Sequence, residues 1–181
     1  MTEEKRAVMT IAGLMALSAR TAPKGRGMDE IMTKIVAGAD LTNLSAEMNS
    51  YGEEHDIGFF IRDSKSMASS DACILIGVRG EVTTGIDCEG CGYRSCRDLS
   101  DALSEIRDRD SPFKGPNCII RITDLGIAVG SAVKTAQIHN VDNRVMYSAG
   151  VAARMMGWMG ECSVVYGIPL KASGKNIFFD R

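Results

Sequence analysis

Four prolines, two histidines and one tryptophan are few for a chain of 181 residues, and aromatic residues make up only 6% of it. Eleven methionines beside a single tryptophan favour a packed, adaptable interior over an aromatic-rich binding face. The two histidines, His55 and His139, lie far apart in polar surroundings and read as surface or cap residues. No Ser/His/Asp or paired-carboxylate arrangement can be argued from spacing. Charge of one sign is lacking too: 21 basic against 23 acidic residues leave a net −2, with a pI near 5.7. That excludes a nucleic-acid sleeve, because phosphate affinity comes largely from clustered Lys and Arg. No apolar run approaches the ~20 residues of a membrane span. The start, Met1-Thr2-Glu3-Glu4-Lys5-Arg6, is acidic, and the apolar stretch behind it is broken by Thr10, Gly13 and Ser18, so no secretory leader is read. A G-x-G-x-x-G fingerprint is missing, and Gly174-Lys175-Asn176 is not a phosphate loop, since no Ser or Thr follows the lysine. The expectation is a cytoplasmic protein with neither nucleic-acid nor membrane partners.

What is present is ordinary globular composition, 45% hydrophobic and 24% charged. The length suits one domain spanning residues 1–181, able to bury roughly 70% of its unfolded surface without staples. Val8, Ile11, Ala12 and Met15 form a helical stripe within 5–19 that stops at Pro23. The same spacing at Met28, Ile31, Met32, Ile35 and Val36 predicts a second helix, and Leu44, Met48 and Tyr51 a weaker third over 41–51. Residues 57–61 fit strand or helix. Ala72 to Val78 is a short, branched, apolar run and reads as a buried strand. Residues 85–96 are irregular, and a polar helix follows over 97–108, ending in the sign-alternating run Arg107-Asp108-Arg109-Asp110. A short strand is predicted over Ile119–Ile122, helices over 124–138 and 143–158, and a core strand at Ser163–Gly167. Interleaved helices and buried strands imply a layered α/β or α+β domain.

Six cysteines ask for an explanation, because a chain of this length does not need them for stability. Cys73 and Cys162 are embedded in apolar strands and read as packing residues. Cys88, Cys91 and Cys96 instead form C-x2-C-x4-C, with Gly90 and Gly92 between them. A glycine-relieved turn aims two thiolates to one side, and backbone without Cβ can approach a bulky inorganic core. Cys118, 22 positions beyond Cys96 and after a Pro- and Gly-containing loop, is the best fourth ligand. Segment 85–118 is therefore a cysteine-rich unit within the domain. Ligand chemistry leaves three readings: an iron–sulfur cluster, a structural zinc, or redox or incidental thiols.

The C-x-G-C-G-Y-x-x-C run resembles the four-iron module of corrinoid iron–sulfur proteins, in which a fourth cysteine follows after a longer gap. The whole chain resembles a bacterial and archaeal family of uncharacterised proteins containing a ferredoxin domain. The residues carrying that likeness are Ala19–Lys24, Cys88–Cys96, Asp124–Ala128, Gly130–Ala136, Val141–Arg144 and the tail Gly174–Arg181. This resemblance implies a [4Fe–4S] cluster and electron transfer to a redox partner protein. A second resemblance is to flavin-dependent nitroreductases, carried by Ala19-Arg20-Thr21-Ala22-Pro23, the Asp124-Leu125-Gly126-Ile127-Ala128 helix and Gly167-Ile168-Pro169. It implies an α+β layered sandwich that forms a homodimer with FMN in the dimer groove. In place of the nitroreductases' Arg-Arg-Ser-x-Arg turn, Arg20, Lys24 and Arg26 would hold the phosphate; a solvated basic loop is the alternative.

Overall fold

The computed structural model describes residues 2–105 and 111–179. Helix α1 (Glu3–Thr21) opens the chain, with the Thr2 hydroxyl capping it by accepting from the Lys5 N–H. A short 3-10 turn at Gly25–Gly27 leads into β1 (Ile31–Val36), followed by α2 (Ala39–Glu54), α3 (Gly58–Ala68) and β2 (Ala72–Val78). Then come α4 (Cys96–Glu105), α5 (Ile119–Ile138), β3 (Asp142–Asn143), α6 (Tyr147–Met155) and β4 (Val164–Lys171). The four strands form one sheet in the order β1-β2-β4-β3, all pairs antiparallel.

Helices cover both faces of this sheet. Val8, Ala12 and Met15 of α1 and Ala128, Ala132 and Ala136 of α5 pack on Ile74, Ile76, Ile168 and Leu170. The opposite faces of the same strands, Cys73, Leu75 and Val165, meet Leu44 and Met48 of α2, Met67 of α3 and Ala149 and Ala152 of α6. Double cover explains why β2 is buried at all seven positions and reads as an unbroken apolar run. No helix among the described residues is long and apolar enough to cross a membrane.

The structure corrects several expected elements. Residues 31–36 form strand β1, not a helix. Ile31, Met32, Ile35 and Val36 satisfy a helical stripe, but pairing with β2, Ile31 opposite Val78 and Val36 opposite Cys73, decides the conformation. Ile119–Ile122 is the first turn of α5 rather than a strand, a run too short for periodicity to settle. The helix expected from 143 begins at Tyr147, because Asp142 and Asn143 pair with β4 and Met146 bridges to Gly167. Residues 58–61 open α3, with Ile57 at its N-cap. The run Arg107–Asp110 lies outside the described residues.

Candidate functional site: the cysteine turn and the start of helix α5

Cys118 occupies the N-cap of α5, with φ −64° and ψ 123°. Its N–H donates to the Gly80 carbonyl at 2.7 Å, tying the helix start to the chain that leaves β2. The residue is 2% exposed, and Thr84 Oγ1 lies 3.9 Å from its sulfur. Burial pushes the thiol up. The N–H groups of Arg121, Thr84 and Ile120 and the Thr84 hydroxyl push it down, and the result is a thiol below its ordinary range. The positive end of the helix dipole acts in the same direction.

Beneath Cys118 lies a fully buried charge. Arg121 is 0% exposed; it donates to the Val82 carbonyl at 3.0 Å, to the Met28 carbonyl at 2.9 Å and to Asp124 Oδ2 at 3.1 Å. The other oxygen of Asp124 accepts from the Gly25 N–H at 2.8 Å. A buried ion pair persists only when its hydrogen-bonding capacity is filled, and here backbone from two distant loops fills it. The network joins loop 25–28, segment 79–85 and the start of α5. Arg26, in a left-handed conformation with φ 57°, adds a contact from Nη1 to the Thr84 carbonyl at 3.0 Å.

The cysteine turn sits against this platform. Asp87 Oδ1 accepts from the Cys96 N–H at 2.6 Å, closing residues 87–96 into a loop. Within it the Gly92 N–H donates to the Glu89 carbonyl at 2.9 Å, and the Ser95 hydroxyl accepts from the Asp98 N–H at 3.1 Å at the start of α4. A Cβ on Gly90 would lie 2.8 Å from Ile119 Cγ2, so a glycine is needed for the turn to rest on the residue after Cys118. The close approach at Gly90 is thus to α5. Cys88 is exposed, Cys91 and Cys96 are half-buried, Cys118 is buried, and all four are free thiols. Among the described residues, no three of His, Cys, Asp and Glu converge closely enough to hold a metal ion.

The other predicted residues fall as follows. Cys73 and Cys162 are buried, and burial pushes each thiol up to about 12. Arg20 donates to Asp29 at 2.6 Å and to the Ile31 carbonyl at 2.7 Å. Lys24 is 5% exposed in its side chain, lies 3.8 Å from Asp29 and donates to the Ala19 and Arg20 carbonyls. Burial outweighs the Asp29 charge and pushes the Lys24 ammonium down. Arg20, Lys24 and Arg26 therefore brace the loop between α1 and β1 and the approach to the cysteine turn. His55 and His139 occupy the C-caps of α2 and α5. Sequence reasoning missed Thr84 and the Arg121–Asp124 pair. A cationic residue set inside Ile119-Ile120-Arg121-Ile122, three residues before an acid, was the available signal.

Residues 114–181 match the family described as "Uncharacterized protein containing a ferredoxin domain (DUF2148)". The matched stretch holds Cys118 and all of α5 but not the turn at 88–96. Among solved structures, nitroreductase CinD of Lactococcus lactis, in complex with nicotinic acid, superposes with TM-score 0.59 at 10% identity, over 99% of this chain and 86% of that one. A putative nitroreductase from Desulfovibrio desulfuricans in complex with FMN gives 0.53 at 11% identity, over 100% and 80%. The fold is therefore nitroreductase-like. An uncharacterized protein of Archaeoglobus fulgidus is 44% identical over 175 residues, covering 96% of this chain and 91% of the archaeal one. With that identity over nearly the whole length, and the profile match at its C-terminal part, the chain belongs to the family of uncharacterized proteins containing a ferredoxin domain.

Proposed function

We propose that the protein is an iron–sulfur redox protein on a nitroreductase-like fold, with a [4Fe–4S] cluster ligated by Cys88, Cys91, Cys96 and Cys118. The observation that carries this reading is the setting of Cys118: a buried sulfur that amide N–H groups and a threonine hydroxyl hold toward the thiolate, with the Gly90 turn resting on the adjacent Ile119. The donor set is all thiol, which suits a soft, thiolate-ligated centre better than a carboxylate-seeking cation. When bound, such a cluster supplies one-electron transfer. The chain's own residues do the rest. Thr84 and the first amides of α5 stabilise negative charge on sulfur, and Asp87 closes the turn that presents the other three cysteines. The Arg121–Asp124 pair holds both segments in register. A cytoplasmic location, a redox partner protein and a homodimer belong to the same proposal.

The same thiols would also suit a structural zinc. An FMN-dependent oxidoreductase is the second reading, favoured by neighbours of this fold that include one in complex with FMN. Anaerobic purification with iron, zinc and sulfide analysis separates the three. The expected result is iron and sulfide with a broad visible absorbance that dithionite bleaches, reduced by Cys118→Ser and unchanged by Cys162→Ser. Stoichiometric zinc without iron overturns the cluster reading. FMN released on denaturation would carry the flavin reading.

A further inference from the structure

The chain enters Cys118 through residues 111–117, and a closed ring of hydrogen bonds ties this strap to the residue that precedes β4. The Ser163 hydroxyl donates to Asn117 Oδ1 at 2.5 Å. Asn117 Nδ2 donates to the Lys114 carbonyl at 2.7 Å, and the Lys114 N–H returns to the Ser163 carbonyl at 3.0 Å. We propose that Asn117 and Ser163 are positioning residues for Cys118, fixing the direction of its sulfur through the backbone of Gly80. The inference rests on Cys118 being a ligand of the bound centre and adds what aims that ligand.

Gly80 links the ring to the cysteine. Its N–H donates to Ser163 Oγ at 2.9 Å, and its carbonyl accepts from the Cys118 N–H at 2.7 Å. A Cβ on Gly80 would collide with Asn117 Oδ1 and Ser163 Oγ, so only glycine lets the three residues close on one another. Ser163 is buried, and its own N–H donates to the Val78 carbonyl at 3.0 Å, so every polar group it carries has a partner. A hydroxyl that accepts from one neighbour and donates to the next polarises both bonds, and a buried ring with every member satisfied is rigid.

Thr84, whose hydroxyl lies 3.9 Å from the Cys118 sulfur, stands four residues beyond Gly80 on the same segment. That segment therefore holds Cys118 at two points, its backbone at Gly80 and its sulfur at Thr84. With the N–H pinned and the backbone at φ −64° and ψ 123°, the Cα–Cβ bond of Cys118 has one direction. Asn117 and Ser163 hold the Gly80 end, so they act on the sulfur through the backbone. The Arg121–Asp124 network is a different tie, joining α5 to loop 25–28 and Val82. Removing groups that orient a ligand without touching the metal weakens binding about 10–100-fold.

Two measurements on the full chain test it. In the first, the metal-free protein is alkylated anaerobically with iodoacetamide and each cysteine is followed by mass spectrometry. Asn117→Ala and Ser163→Ala should speed modification of Cys118 about five- to tenfold, since a buried thiol reacts through local opening. Cys73, buried inside the sheet, should react as slowly as in the parent. In the second, the chain is reconstituted with iron and sulfide. Both variants should lose iron to a chelator about 10–100-fold more readily than the parent, and their midpoint potential should be displaced from the parent's. Asn117→Ala leaves the Ser163 hydroxyl the Val78 carbonyl at 3.3 Å as acceptor, so it stays informative if Ser163→Ala fails to fold. A parent that takes up no iron overturns the cluster reading alone, because the alkylation rates decide the positioning without metal. Cys118 modified at the parent rate, Cys73 speeded as much as Cys118, or parental iron retention and potential in both variants would overturn the proposal.

Discussion

The six thiols separate by environment rather than by distance along the chain. Cys73 sits wholly inside the sheet, where burial raises its thiol to about 12. A raised thiol contributes stability that is intact below the unfolded value, ~8.5, and is lost as pH climbs toward the folded one. The neutral Cys73 should therefore cost the fold up to ~4 kcal/mol by pH 12. Melting temperatures between pH 8 and 11 should fall more steeply for the parent than for Cys73→Ala, after correction for the cavity that variant creates. Parallel slopes would show that Cys73 ionises as readily in the folded chain as in the unfolded one. Cys118 has the opposite sign: its lowered thiol stabilises the fold above the unfolded value and loses that contribution as pH falls through the folded one.

At the scale of elements, the start of α5 holds the site together. Removing the Arg121 guanidinium as Arg121→Met would leave Asp124 buried without its cation and should cost ~3–5 kcal/mol in urea unfolding. A following Asp124→Leu should recover part of that loss, because an apolar pair needs no desolvation compensation. The cysteine turn makes a subtler demand. A methyl group at Gly90 would push against Ile119 from 2.8 Å, so Gly90→Ala should lower iron per chain while leaving the exposed turn's contribution to stability nearly unchanged. Ile119→Ala in the same chain should restore loading, a rescue that colorimetric iron analysis would detect. Loading unaffected by Gly90→Ala would mean that contact with α5 does not position the turn.

On the scale of the whole molecule, the sheet is covered on both faces, yet apolar groups remain outside it. Leu17 on α1 is 57% exposed and Ile138 on α5 is 64% exposed, and Leu14 and Ile127 on the same two helices are exposed as well. These helices pack side by side, joined by a Ser18–Thr135 hydroxyl contact of 2.6 Å. Light scattering should give the mass of two chains, and Leu17→Lys should shift the population toward one. A monomeric parent protein would count against the homodimer.

Much of this was legible in the residues alone. Helix α1 was, because its apolar spacing repeats at helical period, and strand β2 was, because a short unbroken run rich in branched residues suits a strand covered on both faces. Strand β1 was not: Ile31, Met32, Ile35 and Val36 satisfy two periodicities, and hydrogen bonding to β2 chose between them. The C-x2-C-x4-C run of Cys88, Cys91 and Cys96 was visible in the spacing, since its members are neighbours in the chain. The state of the Cys118 sulfur was not, because one of its partners, Thr84, stands 34 residues away. Nor was the fate of the basic residues. Arg20, Lys24 and Arg26 read either as a solvated basic loop or as a phosphate turn, and folding brings Asp29 and backbone carbonyls to them. Arg62, Arg144 and Lys175 carry no common motif, and folding places them on one cavity. The sequence by itself determined the clustering of thiols at Cys88, Cys91 and Cys96 and the strongest elements, which depend on local spacing. Only the tertiary structure decided which charges are satisfied and which face solvent, because burial and hydrogen-bond partners come from residues distant in the chain.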